Sequence, residues 1–189
     1  MKPLFLASAF ALAATSALAA DKYTLDSSHS QILFSYNHFG FSTTWGMFSG
    51  FEGDITFDQA NPANSSVSVS MPTKSMFTGW EQRDGHFMSG DFFDATDEDL
   101  ISFTSTGIDV TGDDTAKITG DLTMNDVTKS VVLDAVLNQV GTNPLANKDW
   151  AGFNATTTLL RSDFGLGAFA PAVSDEVEVQ ISIEAAKVE

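Results

Sequence analysis

The chain has 189 residues, no cysteine, 16 phenylalanines, and 9 Lys+Arg against 25 Asp+Glu, a formal charge of −16. So acidic a surface is repelled by nucleic acid and by anionic membrane faces, whose binding rests on clustered Lys and Arg. Without cysteine no disulfide can staple the fold, so stability must come from a core.

The first expected element is a leader. Met1-Lys2 gives a positive start, Leu4 to Leu12 an apolar run, and Ala17-Leu18-Ala19 a small-x-small cleavage site. This is the pattern of a secretory signal peptide over residues 1–19, with export to a bacterial periplasm as the expected destination. Loss of Lys2 leaves 8 Lys+Arg against 25 Asp+Glu, or −17. The apolar run is too short to span a bilayer, and no later stretch is long enough, so no stable membrane insertion is expected. Residues 20–189 then form one domain, large enough to bury roughly 70% of its unfolded surface.

Strand signals follow in order. Ile32, Phe34, Tyr36 and His38 alternate with Gln31, Leu33, Ser35 and Asn37. Ile55 and Phe57 alternate with Asp54, Thr56 and Asp58, and Val67, Val69 and Met71 alternate with Ser66, Ser68 and Ser70. Ile118, Leu122 and Met124 alternate with polar neighbours, as do Val177, Val179, Ile181 and Ile183. Each has the period of a strand with one wet face. Further strands are expected near Leu100–Ile108, Ser130–Asn138 and Ala151–Arg161. One-sided alternation favours antiparallel pairing. About eight such strands predict an all-β domain, either an antiparallel barrel or a sandwich, and a barrel of that size has room for one small ligand.

One region breaks the period. Thr78-Gly79-Trp80-Glu81 has capping-box spacing, and Trp80, Phe87 and Met88 share a helical face. A short helix is predicted over Gly79–Met88, laid across one barrel opening. Asn143 to Lys148, with Pro144 as breaker, reads as a loop.

Several features look like chemistry. His29, His38 and His86 lack metal-pair spacing, so no metal is expected; strand capping, or His38 and His86 at a cavity mouth, are the competing readings. Arg83 and His86 fall within one turn, where Arg83 either meets a ligand head or fastens the helix through Asp91 or Asp94. The Asp-Phe-Gly of Asp163 to Gly165 has no glycine-rich loop or strand lysine behind it and is not a kinase motif. It ends a strand, where Arg161 and Asp163 are expected to pair across the sheet. The phenylalanine excess fits either a cavity for an apolar ligand or a packed aromatic core, and composition does not choose between them.

A set of segments in fixed order carries a resemblance. Asp26-Ser27-Ser28-His29-Ser30 is followed by Gly46-Met47-Phe48 and by Gly53 to Asp58. Arg83-Asp84-Gly85-His86, Asp91-Phe92-Phe93-Asp94 and Phe103-Thr104-Ser105-Thr106 come next. Gly120-Asp121-Leu122-Thr123, Val127-Thr128-Lys129 and Arg161-Ser162-Asp163-Phe164-Gly165 complete it. No single motif is specific, but together they resemble the YceI-like family of polyisoprenoid-binding periplasmic proteins, over nearly all of the mature chain. The resemblance implies a lipocalin-like barrel holding an isoprenoid lipid such as a quinone or polyprenyl chain, with no catalytic cofactor. It also allows a homodimer, and it tips the phenylalanine question toward a cavity.

The expected ligand contacts are then Phe34 and Tyr36 on one strand, with His38 at its end, and Trp45 and Phe48 after them. Phe77, Trp80, Arg83, His86, Phe87, Phe92 and Phe93 come from the helical region, and Phe103, Phe153 and Phe164 from later strands. A prenyl chain is branched every fifth carbon, which rings and methionines can follow, and each buried CH2 contributes roughly 0.8 kcal/mol. The expected function is a non-enzymatic carrier. The rival readings are an enzyme acting on a lipid head through Arg83, Asp84 and His86, and an interaction protein whose barrel merely packs. No serine or cysteine carries a recognisable nucleophile motif.

Overall fold

The structure is a computed structural model and describes residues 20–189; the expected leader lies outside the described residues. Ten strands make one antiparallel sheet: β1 (Asp21–Leu25), β2 (Gln31–His38), β3 (Ser42–Phe48), β4 (Glu52–Phe57), β5 (Ser66–Pro72), β6 (Leu100–Val110), β7 (Thr115–Met124), β8 (Val127–Asn143), β9 (Lys148–Leu160) and β10 (Glu176–Lys187). The sheet closes on itself. β10 pairs with β9 on one side, and on the other with β2 through Glu178–Ser182 and with β1 through Ala185–Lys187. β1 and β2 are therefore one stave interrupted at Asp26–Ser30, and β3 and β4 are another, interrupted at Ser49–Phe51. Counted this way the ring has eight staves, a closed antiparallel barrel as expected.

Alternation fills the interior as the sequence pattern required. Ile32, Phe34 and Tyr36, then Ile55 and Phe57, then Val67, Val69 and Met71 all face inward, as do Val177, Val179, Ile181 and Ile183. Two bulges reverse the parity. Ile101 and Phe103 of β6 face in, but a register shift between Ser105 and Gly107 turns Ile108 and Val110 inward instead. A second shift between Leu137 and Gln139 does the same in β8, where Leu137 and then Val140 join the core. An extra residue on one strand changes which neighbours face the lumen, and it also tightens the curvature a barrel needs.

Two glycines explain how so many rings fit. A Cβ at Gly46 would strike the ring of Phe34, and one at Gly120 would strike the ring of Phe103. Gly46 lies directly opposite Phe34 in the β2–β3 ladder, and Gly120 stands one stave from Phe103. The tip of each ring fills the place above bare backbone of the next strand where a side chain would stand.

The helix is real but shorter than predicted. α1 spans Glu81–Phe87 and follows β5 at one end of the barrel. The capping box does not form: the N-cap is Trp80, with no side-chain cap bond. Thr78 instead turns its backbone N–H and hydroxyl to Asp84 Oδ1, at 2.9 and 2.5 Å. The Thr78 hydroxyl donates to that carboxylate and accepts from Arg83 Nε, a charged donor that makes a stronger bond than a backbone N–H would.

The break between β1 and β2 is held by a local ion pair. His29 Nδ1 lies 2.6 Å from Asp26 Oδ2, and the Ser28 backbone N–H and hydroxyl donate to Asp26 Oδ1. The His29 bond holds the Asp26 carboxyl below its usual range, and Asp26 pushes the His29 imidazole above the ordinary histidine value. With His29 raised in the fold, its contribution is complete below the unfolded histidine value and is lost as pH climbs through the folded one. With Asp26 lowered, its contribution is complete above the unfolded carboxyl value and is lost as pH falls through the folded one. A histidine-resolved NMR titration should place His29 above the usual value, and Asp26→Asn should return it there. An unchanged midpoint in the variant would show that the pair does not set it.

Candidate functional site

The barrel encloses a cavity of about 310 Å³. It runs from beneath the α1 segment, where Met76, Phe87, Phe92 and Phe93 line it, to the β6–β7 turn at the opposite end, where Gly112 to Thr115 do. Its wall is almost wholly apolar. Aliphatic side chains from every side of the ring, among them Leu25, Ile55, Val69, Ile101, Leu122, Leu133 and Ile181, alternate with rings and with Met71 and Met124. Pockets of this size and character suit a flexible apolar ligand.

The expected contacts divide by location. Phe34, Tyr36, Phe48, Phe87, Phe92, Phe93, Phe103 and Phe153 line the cavity. Among the lining rings, Phe34 is tilted against Phe48 at 5.4 Å between centroids, while Tyr36 meets Phe87 at 6.2 Å and Phe57 meets Phe153 at 5.6 Å, both edge-on. Phe164 stands apart from the cavity: it is the most completely buried large side chain of the described residues and sits in the 3-10 turn Arg161–Phe164. Trp45, Phe77 and Trp80 do not reach the lumen and stand half exposed on the outside. Trp45 faces away because its neighbours Gly46 and Phe48 take the inward positions of β3. Both readings of the phenylalanine excess therefore hold for different rings.

The polar candidates also stand outside the cavity. Arg83 donates from Nε to the Thr78 hydroxyl at 2.8 Å and from Nη2 to the Thr78 carbonyl at 2.6 Å, and its guanidinium lies 5.9 Å from the Trp80 ring centre. It fastens the helix, as one reading expected, but to Thr78 rather than to Asp91 or Asp94. Asp91 is taken by His86, whose Nε2 lies 2.9 Å from its Oδ2. His86 also stacks edge-on against Phe92 at 5.2 Å, so it backs a cavity ring without touching the lumen. His38 lies at the exposed end of β2 against Phe39. The three histidines occupy three separate segments. His29 does meet Asp26 and Glu184, whose ligand-type atoms lie within 4.8 Å of one another, and Glu184 accepts from the Trp150 indole at 2.9 Å.

One cation does line the cavity, and the expected role for it is corrected. Arg161 does not pair with Asp163. Its guanidinium donates to four backbone carbonyls: Nε to Ser174, Nη1 to Leu166 and Ala168, and Nη2 to Val173. The chain leaves β9 in a 3-10 turn at Arg161, so alternation no longer governs where these side chains point. Burial pushes the Arg161 guanidinium below its ordinary value, with Asp175 opposing the shift. Asp175 is held down chiefly by the hydroxyl of Ser162, whose N–H it also accepts.

The aliphatic wall and the carbonyl partners of Arg161 are the parts that the residue-by-residue reading does not contain. The aliphatics carried a signal, since they are the inward members of the alternating strands. The partners of Arg161 carried none, because four carbonyls of a loop leave no mark in side-chain pattern.

An eight-stave antiparallel barrel around a long apolar cavity places the molecule structurally among lipocalin-like barrels. The YceI-like domain matches residues 23–185. A UPF0312 protein of Ectopseudomonas mendocina (strain ymp) is 41% identical over 176 residues, covering 92% of this chain and 91% of the relative. The chain belongs to the YceI-like family. A crystal structure of a Campylobacter jejuni YceI protein superposes with TM-score 0.72 at 29% identity, over 81% of this chain and 90% of that one. A Saccharophagus degradans structure, described as a polyisoprenoid binding domain implicated in plant cell wall breakdown, shares the fold at TM-score 0.70 and 14% identity, over 90% and 100% of the two chains.

Proposed function

We propose that this protein is a non-enzymatic carrier that holds the tail of an isoprenoid lipid in its barrel, and that it works in the periplasm after removal of residues 1–19. The observation that carries this reading is the cavity itself, about 310 Å³ and running the length of the barrel between apolar walls. Binding would be driven by burial of tail carbons, each contributing roughly 0.8 kcal/mol, and needs few polar contacts. The polyisoprenoid binding described for the Saccharophagus degradans domain supports the same ligand class. A neutral head such as a quinone fits better than a phosphate: Arg161, the one Lys or Arg side chain of the wall, already gives its N–H groups to carbonyls. The engagement of Arg83 and Asp84 with Thr78, away from the lumen, weighs against catalysis on a lipid head by that cluster.

Native mass spectrometry of protein purified from its own periplasm, followed by solvent extraction, tests the reading. The expected result is a stoichiometric prenyl lipid or quinone. A bare mass under gentle conditions, together with no uptake of added quinones, overturns it.

A further inference from the structure

The outer surface of the barrel carries its exposed rings at one end only. Among the described residues the exposed aromatics are Phe39, Phe41, Trp45, Phe77, Trp80 and Phe169. Backbone and ring contacts knit them into one region. The turn bearing Phe39 and Phe41 is tied to the 169–174 loop by the bond from the Phe39 N–H to the Ala172 carbonyl and by the His38–Val173 bridge. Phe169 meets His86 and Phe92 of the α1 segment at 6.2 and 6.0 Å. Phe77, just before that segment, bridges to Met47 of β3, two residues from Trp45. The opposite end presents Asp58, Gln59 and Asn61 in one loop and Thr111 to Asp114 in another; its exposed large hydrophobics, Val110, Leu145 and Val188, are all aliphatic.

We propose that this aromatic end is a docking surface for a lipid bilayer of neutral net charge, on which the carrier sits while its ligand enters or leaves. The proposal rests on the carrier reading. Phe92 supplies the continuity, because it lines the cavity on one side and meets the exposed Phe169 on the other. Tryptophan and phenylalanine are suited to the bilayer interface, where a ring is buried among acyl chains while its edge meets the headgroups. Three basic side chains of this acidic chain stand among these rings, where a phosphate would lie. Arg83 lies over Trp80, His38 against Phe39, and His86 against Phe92 and Phe169. Glu81, Asp91 and Asp94 share the same end, and with the overall charge they disfavour an anionic bilayer and a second copy of this chain alike.

The three tryptophans provide the test. Trp45 and Trp80 belong to the aromatic end, whereas Trp150 is the third residue of β9, next to the β8–β9 turn at the opposite end, paired in register with Gly141 and Ala186. Mature protein is titrated with vesicles of phosphatidylcholine brominated in the acyl chain, which quenches only rings that enter the chains. Trp150→Phe, which reports Trp45 and Trp80, should be quenched; the Trp45→Phe/Trp80→Phe double variant, which reports Trp150, should not. Replacing Phe39, Phe41 and Phe169 by serine should weaken the vesicle partition about tenfold or more. Phosphatidylglycerol vesicles should bind less.

Absence of quenching in Trp150→Phe, or equal quenching of Trp150, overturns the proposal. So does a dimer in sedimentation equilibrium that the serine triple variant dissolves, since a second copy would then cover the rings. Uptake of a prenyl tail, measured separately in vesicle-free buffer, keeps the two readings apart. Uptake without quenching sinks the docking alone, whereas quenching without uptake sinks the carrier.

Discussion

Arg161→Met should destabilise the fold by about 3–5 kcal/mol, one of the largest losses available to a single substitution in this chain. Methionine keeps much of the length and apolar stem but offers no donor. The carbonyls of Leu166, Ala168, Val173 and Ser174 would lose a shared cationic partner at once. An acceptor left unmade in a partly buried place costs about 1–3 kcal/mol, and only some of the four can turn to water. The loop they belong to would loosen between β9 and β10, carrying Leu166 away from the cavity wall and Phe169 away from Phe92. Urea denaturation measures the loss, and limited proteolysis should show new cleavage within residues 162–175. Arg161→Lys should recover only part of the stability, because an ammonium cannot reach carbonyls spread around a planar fork. A loss under about 1 kcal/mol for the methionine variant would mean that the loop is held by other contacts, foremost those of Asp175 with Ser162.

That arginine also marks where sequence reading ran out. Along β2, β4, β5 and β10 the alternation of apolar and polar residues identified the inward face correctly, because a half-wet strand has no other way to satisfy both faces. β1 and β3 were missed. β1 is only five residues long, and β3 carries Gly46, which reads as a strand breaker until the ring of Phe34 is seen to occupy its place. The inward turn of Ile108 and Val110 was equally hidden, since a bulge is a property of the pairing and not of one strand. The site was legible in kind but not ring by ring. Phe92 lines the cavity and Phe164 does not, though both stand in similar apolar-polar surroundings in the sequence. Because large rings are usually buried, the sequence alone puts Trp45, Phe77 and Trp80 with the interior, whereas all three stand half exposed on the outer surface.

The cavity itself gives the sharpest test of function, through Ala155→Trp. Ala155 is an inward residue of β9, paired with Ala135 of β8 on one side and Ile181 of β10 on the other, and all three line the lumen. A methyl group there leaves this stretch of the wall low. An indole would project into existing empty space rather than into packed side chains, so the usual overpacking penalty of about 1–3 kcal/mol should be largely avoided. A tail passing through the barrel would have to stop short of the ring. Losing contact with even four tail carbons forfeits about 3 kcal/mol, or more than a hundredfold in affinity. The expected result is a folded protein, with an unchanged denaturation midpoint and circular dichroism spectrum, whose affinity for long prenyl chains falls by that factor. Chains short enough to fit on one side of the ring should lose much less. That dependence on length separates obstruction from misfolding, which would weaken all tails together. A variant that keeps full affinity for every chain length would place the tail outside the barrel, and the carrier reading would fail with it.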